Sequence, residues 1–190
     1  MLVDANYRFI AASQEMNTRI AQRQQALNLF VTLAVSLLAA LVALRPDPGH
    51  HNPLPTEWLV LGFPTATFFL ALLNYKAERT ITHLRSFLAT LERLNNRELG
   101  LPGYNTDPRW ASSANSVRRF QDYAAAVLAA GGNGMGIAVV WRLYPERLAE
   151  TPALWMLTLA GAVLSTVLLL VIPRWSYRPE PEEDGAGTAD

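Results

Sequence analysis

Residues 26–44 read ALNLFVTLAVSLLAALVAL, nineteen positions without a single Asp, Glu, Lys, Arg or His. At about 1.5 Å per residue, a helix over that stretch is roughly 28 Å long, close to the ~30 Å hydrocarbon core of a bilayer. Three more runs of the same kind follow: 58–75 (WLVLGFPTATFFLALLNY), 123–141 (YAAAVLAAGGNGMGIAVVW) and 154–172 (LWMLTLAGAVLSTVLLLVI). One such run could be the buried helix of a soluble domain. Four in 190 residues predict an all-α integral membrane protein with four transmembrane helices. Mean hydropathy is only +0.11 because the polar residues are gathered between the runs.

Residues 1–25 carry Asp4, Arg8, Glu15, Arg19 and Arg23, so the first apolar run begins too late, and is too long, for a cleavable signal. They read as an N-terminal helix outside the bilayer. The formal net charge is zero, which gives no bulk attraction to nucleic acid. With no cysteine, a disulfide framework or a thiolate site is excluded.

Lysine and arginine are distributed unevenly. The N-terminal segment has three, residues 76–122 have eight and the C-terminal tail has two, whereas the two short loops between spans hold only Arg45 and the pair Arg142 and Arg147. The positive-inside rule therefore places both termini and the long loop in the cytoplasm. Trp58, Trp141, Tyr144 and Trp155 fall at the outer ends of the spans, and Tyr75, Tyr123, Trp175 and Tyr177 at the inner ends, where amphipathic rings prefer to lie. The outer loops share a layout: Arg45 precedes Trp58, and Arg142 precedes Trp155, by 13 residues, each Trp closing a P-x-x-W. Two readings stand: coincidence, or a duplicated two-helix hairpin whose halves are related by an axis along the membrane normal.

Two spans read as extended into the cytoplasm. Met16, Ile20 and Leu27 recur at helical spacing ahead of the first span, with Arg19 and Arg23 on other faces. After Tyr75, Leu84, Phe87, Leu91 and Leu94 fall at heptad spacing and Leu88 broadens the stripe, which predicts packing on the N-terminal helix or on another subunit. Gly100, Pro102 and Gly103 punctuate a loop; Asp107 and Pro108 are suited to N-cap and N1 of a helix that runs into the third span. Residues 76–122 are thus a helical extension, a loop and a short helix. Residues 173–190 are expected to form a disordered acidic tail in the cytoplasm.

No nucleophile–base arrangement, phosphate loop or metal-ligand spacing occurs, so no catalytic residue, cofactor or metal site is expected. His50 and His51 read as solvated loop residues, and His83 as a surface residue. Arg79, Arg85, Arg93, Arg118 and Arg119 could meet anionic lipid headgroups or a nucleotide, or could serve topology alone. The third span is the most informative. Gly132 and Gly136 form GxxxG, and Ala130 and Gly134 form a second small-xxx-small pair about 200° away around the helix, so two opposite faces allow close approach. With Gly161 and Ser165 of the fourth span, these are the candidate packing and self-association residues. Asn133 lies near mid-span and should face protein or water: either it bonds a neighbouring helix, or it contributes to a polar ring lining an oligomeric pore. Pro64 is expected to kink the second span. No ionisable residue lies within any span, which disfavours ion-coupled transport.

The segments EMNTRIAQRQQALNLF (15–30), leading into span one, and YKAERTITHLRSFLATLERL (75–94), leaving span two, resemble in layout the small two-span and four-span bacterial membrane proteins regarded as effectors of antiviral defence. The resemblance is architectural, covers about half the chain, and contains no diagnostic residue. It implies a homo-oligomer in the bacterial inner membrane, among lipids, that perturbs the bilayer or forms a pore. The alternative is a structural or regulatory subunit that binds a cytoplasmic protein through its helical extensions; a small transporter component is a third reading.

Overall fold

A computed structural model describes residues 4–45, 55–96 and 103–178. His50, His51 and the acidic tail beyond Arg178 lie outside that set. The described residues contain helices and no strand: α1 (Ala5–Ala43), α2 (Gly62–Asn96) preceded by a 3-10 turn at Thr56–Leu61, α3 (Pro108–Leu143), the short α4 (Pro145–Glu150), and α5 (Pro152–Val171) followed by a 3-10 turn at Ile172–Trp175.

Local chemistry sets these boundaries. Asp4 accepts from the Asn6 amide at 3.2 Å and Asp107 from the Arg109 amide at 2.8 Å, capping α1 and α3. Pro108, Pro145 and Pro152 open α3, α4 and α5, where a missing N–H costs nothing. Pro64 acts at a helix start: lacking an N–H for the Val60 carbonyl, it falls where the 3-10 turn gives way to α2, so the irregularity expected in the outer part of the span takes the form of a change of helix type at Leu61–Gly62.

Four helical stretches, Ala5–Ala43, Thr56–Leu94, Pro108–Leu143 and Pro152–Trp175, are long and apolar enough to cross a membrane. Only 17% of the most apolar window of α1 is buried within the chain, so most of its apolar surface needs a non-aqueous surround. In the bundle α1 packs on α2 and α3, α5 packs on the same two helices, and α2 and α3 face each other across the centre. A two-fold axis along the bundle would carry α1 to the corner opposite itself, where α3 should then stand. α3 instead lies beside α1, so the two hairpins are not related by the axis expected of a symmetric duplication. The core is built from Phe30, Leu41, Phe63, Leu70, Val140, Leu154 and Leu169. Close approach is set at Gly136, where a Cβ would stand 2.6 Å from the Phe63 ring.

α5 has 20 residues against 39, 35 and 36 for α1, α2 and α3, so α5 does not accompany the other three over their full length. Beyond it residues 173–178, expected to belong to the disordered tail, are ordered along α2: the Thr82 hydroxyl donates to the Trp175 carbonyl at 3.3 Å, and Trp175 meets Tyr75 edge-on at 5.3 Å. This end, with the start of α1, is the terminal end; the other is the loop end.

At the terminal end the buried stripe of α2 differs from the expected one. It is Asn74, Glu78, Ile81, Arg85, Leu88 and Glu92, all under 9% exposed, while Phe87 and Leu94 are 44% and 74% exposed. Leu84 and Leu91 lie half-buried at its margins. On α1, likewise, Ile20 points outward and Arg23 inward. Both stripes have heptad spacing; the inner one is chosen because α3 brings Asn115, Arg118 and Asp122 to meet it.

Candidate functional site

The polar groups drawn inward at the terminal end form one connected cluster. Glu78 is fully buried at its centre. Arg118 of α3 donates to it at 2.5 Å and Arg23 of α1 at 3.4 Å. The other arm of Arg23 reaches Asp122 of α3. Two guanidiniums and two carboxylates thus neutralise each other among three helices, which is what makes their burial tolerable. Burial pushes the Arg23 guanidinium below its ordinary range; Glu78 opposes this, and Arg118 adds to it.

A second set continues from the first. Arg85 Nη1 donates to Asn115 Oδ1 at 2.9 Å, and Asn115 Nδ2 donates to the Tyr177 carbonyl at 2.8 Å. The Tyr177 hydroxyl donates to the Asn105 carbonyl at 3.3 Å. Asn105 in turn gives its backbone N–H and its side-chain amide to the two oxygens of Glu92, each at 2.8 Å. Burial lowers the Arg85 pKa most, and nearby Arg118 lowers it further; Tyr104, Glu78 and Tyr177 pull the other way. The chain of contacts therefore ties α2, α3, the segment before α3 and the segment after α5 into one clasp.

A cavity of about 30 Å³ adjoins the cluster, bordered by Asn74, Arg23, Gln24, Arg118 and Asp122. At ~10–15 Å³ of such volume per water it has room for about two waters.

The loop end has its own ties. The Tyr144 hydroxyl donates to the Leu41 carbonyl at 2.9 Å, and Arg147 meets the buried Glu57 at 3.3 Å. Trp141 and Trp155 lie 5.4 Å apart with tilted rings at this end, and Tyr75 and Trp175 meet edge-on at the other.

Within the spans, Asn133 is 3% exposed and its amide donates to Thr67 Oγ1 at 3.0 Å. The Thr67 hydroxyl already donates to the Phe63 carbonyl at 2.9 Å, so its oxygen is the acceptor for Asn133 and the amide orientation follows. Asn133 thus faces the interior of its own bundle and joins α3 to α2. Gly132 and Gly136 share that inward face: a Cβ at Gly132 would lie 3.8 Å from Phe30. A Cβ at Gly161 would stand 3.2 Å from Pro64, and Ser165 is buried. The second pair, Ala130 and Gly134, points outward, and a Cβ at Gly134 would meet nothing within 4 Å. Four of the six candidate interface residues are therefore occupied inside the chain.

Of the five arginines read as lipid or ligand contacts, Arg79, Arg93 and Arg119 are exposed. Arg85 and Arg118 are turned inward, because Asn115 and Glu78 hold them there. Hydrophobic periodicity does not single out Glu78, Glu92, Asn115, Asp122 or Arg23 as members of a buried cluster. A readable signal existed: Glu78, Arg85 and Glu92, and likewise Asn115 and Asp122, are separated by seven residues, the spacing of one buried seam. No protein-family model, curated protein or solved structure matches this chain.

Proposed function

We propose that the protein is a non-enzymatic membrane subunit that docks a cytoplasmic protein on the part of its bundle that stands beyond the spans. One observation carries this reading: the extension is polar inside and aromatic outside. It buries Glu78, Arg85, Glu92 and Asp122, and exposes Phe87, Leu94, Trp110 and Phe120 by 44%, 74%, 55% and 76%. Trp110 lies thirteen residues ahead of Tyr123, roughly 20 Å along α3 from the start of the third span, so hydrocarbon does not cover it when the helix stands upright. Large exposed rings outside a bilayer mark interaction surfaces. The charge asymmetry supports a cytoplasmic location for this end.

A second reading keeps the homo-oligomeric inner-membrane effector. It draws on the outward Ala130–Gly134 face, which leaves room for close approach of a second copy within the bilayer. Asn133 no longer supports a pore, since it is bonded within the bundle. Photo-crosslinkers placed at Phe87, Leu94, Trp110 and Phe120 in cells separate the two. Adducts with one distinct protein, lost in Phe120→Glu, support the subunit; multiples of the chain's own mass, together with leakage from liposomes, support the effector. Absence of any adduct at all four positions overturns the docking surface.

A further inference from the structure

At the loop end, a groove of about 300 Å³ runs between α1 and α3. Val42 of α1 faces Met135, Val139 and Leu143 of α3 along it, and Arg45 and Arg142 border its end. The geometry points to a binding site for an anionic phospholipid, with the phosphodiester between Arg45 and Arg142 and one acyl chain along the apolar walls. This inference needs only that the four helices cross a bilayer, and is independent of what docks at the other end.

Three observations meet here. First, the groove is amphipathic in the direction a lipid is. Met135 and Arg142 are seven residues apart, roughly 10 Å along α3, so the walls reach two turns into the apolar run while the guanidiniums lie at its end. Second, Arg45 just past the end of α1 and Arg142 in the last turn of α3 converge on one mouth, and planar guanidiniums match phosphate oxygens better than a single point charge does. Third, the three basic residues of this end are treated differently. Arg147 is held by Glu57 at 3.3 Å, whereas among the described residues no carboxylate pairs with Arg45 or Arg142, although Glu146 and Glu150 stand in nearby α4. Two cations left together at the rim of an apolar groove complement an amphiphile with a negative head. Met135 and Val42 are 57% and 53% exposed, so the groove is open to a chain from the lipid phase.

The test uses the full chain, purified in mild detergent and titrated separately with phosphatidylglycerol, phosphatidylcholine and inorganic phosphate, with bound mass read by native mass spectrometry. Wild type is expected to retain phosphatidylglycerol about tenfold better than phosphatidylcholine, the effect of one charge-assisted hydrogen bond. The double variant Arg45→Gln with Arg142→Gln should lose this preference while its unfolding midpoint stays put. Ala138→Trp, which fills the groove and leaves both arginines, should weaken retention of both lipids. Equal retention of the two lipids by wild type, an unchanged preference in the double variant, or displacement of phosphatidylglycerol by millimolar inorganic phosphate overturns the site. A chain that fractionates without membranes and stays soluble in the absence of detergent would instead remove the bilayer reading on which it stands.

Discussion

Glu78→Gln is the sharpest test of the polar clasp. The side chain is fully buried and takes bonds from Arg118 at 2.5 Å and Arg23 at 3.4 Å. Glutamine keeps the shape and one acceptor oxygen, but turns an N–H₂ toward one of the guanidiniums. The four-residue cluster of Arg23, Arg118, Glu78 and Asp122 then goes from neutral to one net positive charge. Removing one partner from a buried ion pair costs about 3–5 kcal/mol, against about 0–1 kcal/mol for a pair in solvent. With one acceptor retained, the expected loss is about 3 kcal/mol, roughly two decades in the folding equilibrium. Unfolding of the full chain in mild detergent can be followed by tryptophan fluorescence, because Trp175 packs on Tyr75 near the cluster. Adding Arg118→Met to the glutamine variant restores neutrality and leaves Arg23 with Asp122, so it should recover more than half of the loss. A Glu78→Gln effect below about 1 kcal/mol, the range of a solvent-screened pair, would refute the reasoning. So would a second substitution whose cost simply adds to the first.

Gly136→Leu should destabilise the bundle by about 1–3 kcal/mol, because its Cβ would meet the Phe63 ring, whereas Gly134→Leu should leave the unfolding midpoint unchanged and reduce any self-association seen by size. Asn133→Leu should cost only about 0.6 kcal/mol, and at most ~2 kcal/mol, with no ion conductance in either protein; conductance in wild type that the variant abolishes would reverse that expectation. Glu92→Ala removes both acceptors of Asn105, so hydrogen exchange and proteolytic cleavage around 103–107 should accelerate without loss of the spans. Since the chain has no native cysteine, single cysteines report sidedness cleanly: one at Glu146 should label from outside whole cells and one at Tyr7 should not.

The four apolar helices, their approximate limits and the aromatic residues at their ends were legible in the residues alone, because a run of eighteen or nineteen residues without charge has few other uses. So was the cap of α3, since Asp107 and Pro108 act locally. Tertiary structure alone decided which face of each helix turned inward. On α2 the more hydrophobic stripe, with Phe87 and Leu94, lost to one carrying Glu78, Arg85 and Glu92. That choice rests on partners forty or so residues away, such as Arg118 for Glu78, and no property of α2 alone contains it. In the third span the two small-residue faces were equal on paper. Packing assigned Gly132 and Gly136 to the interior because Phe30 and Phe63 stood ready to fill the space, and left Ala130 and Gly134 outside. The place of Asn133 followed from the same rotation, which brought its amide to Thr67 and away from any lumen. Periodicity gives the spacing of a seam; complementary charge and volume on the neighbouring helices decide which of two equally spaced seams is buried.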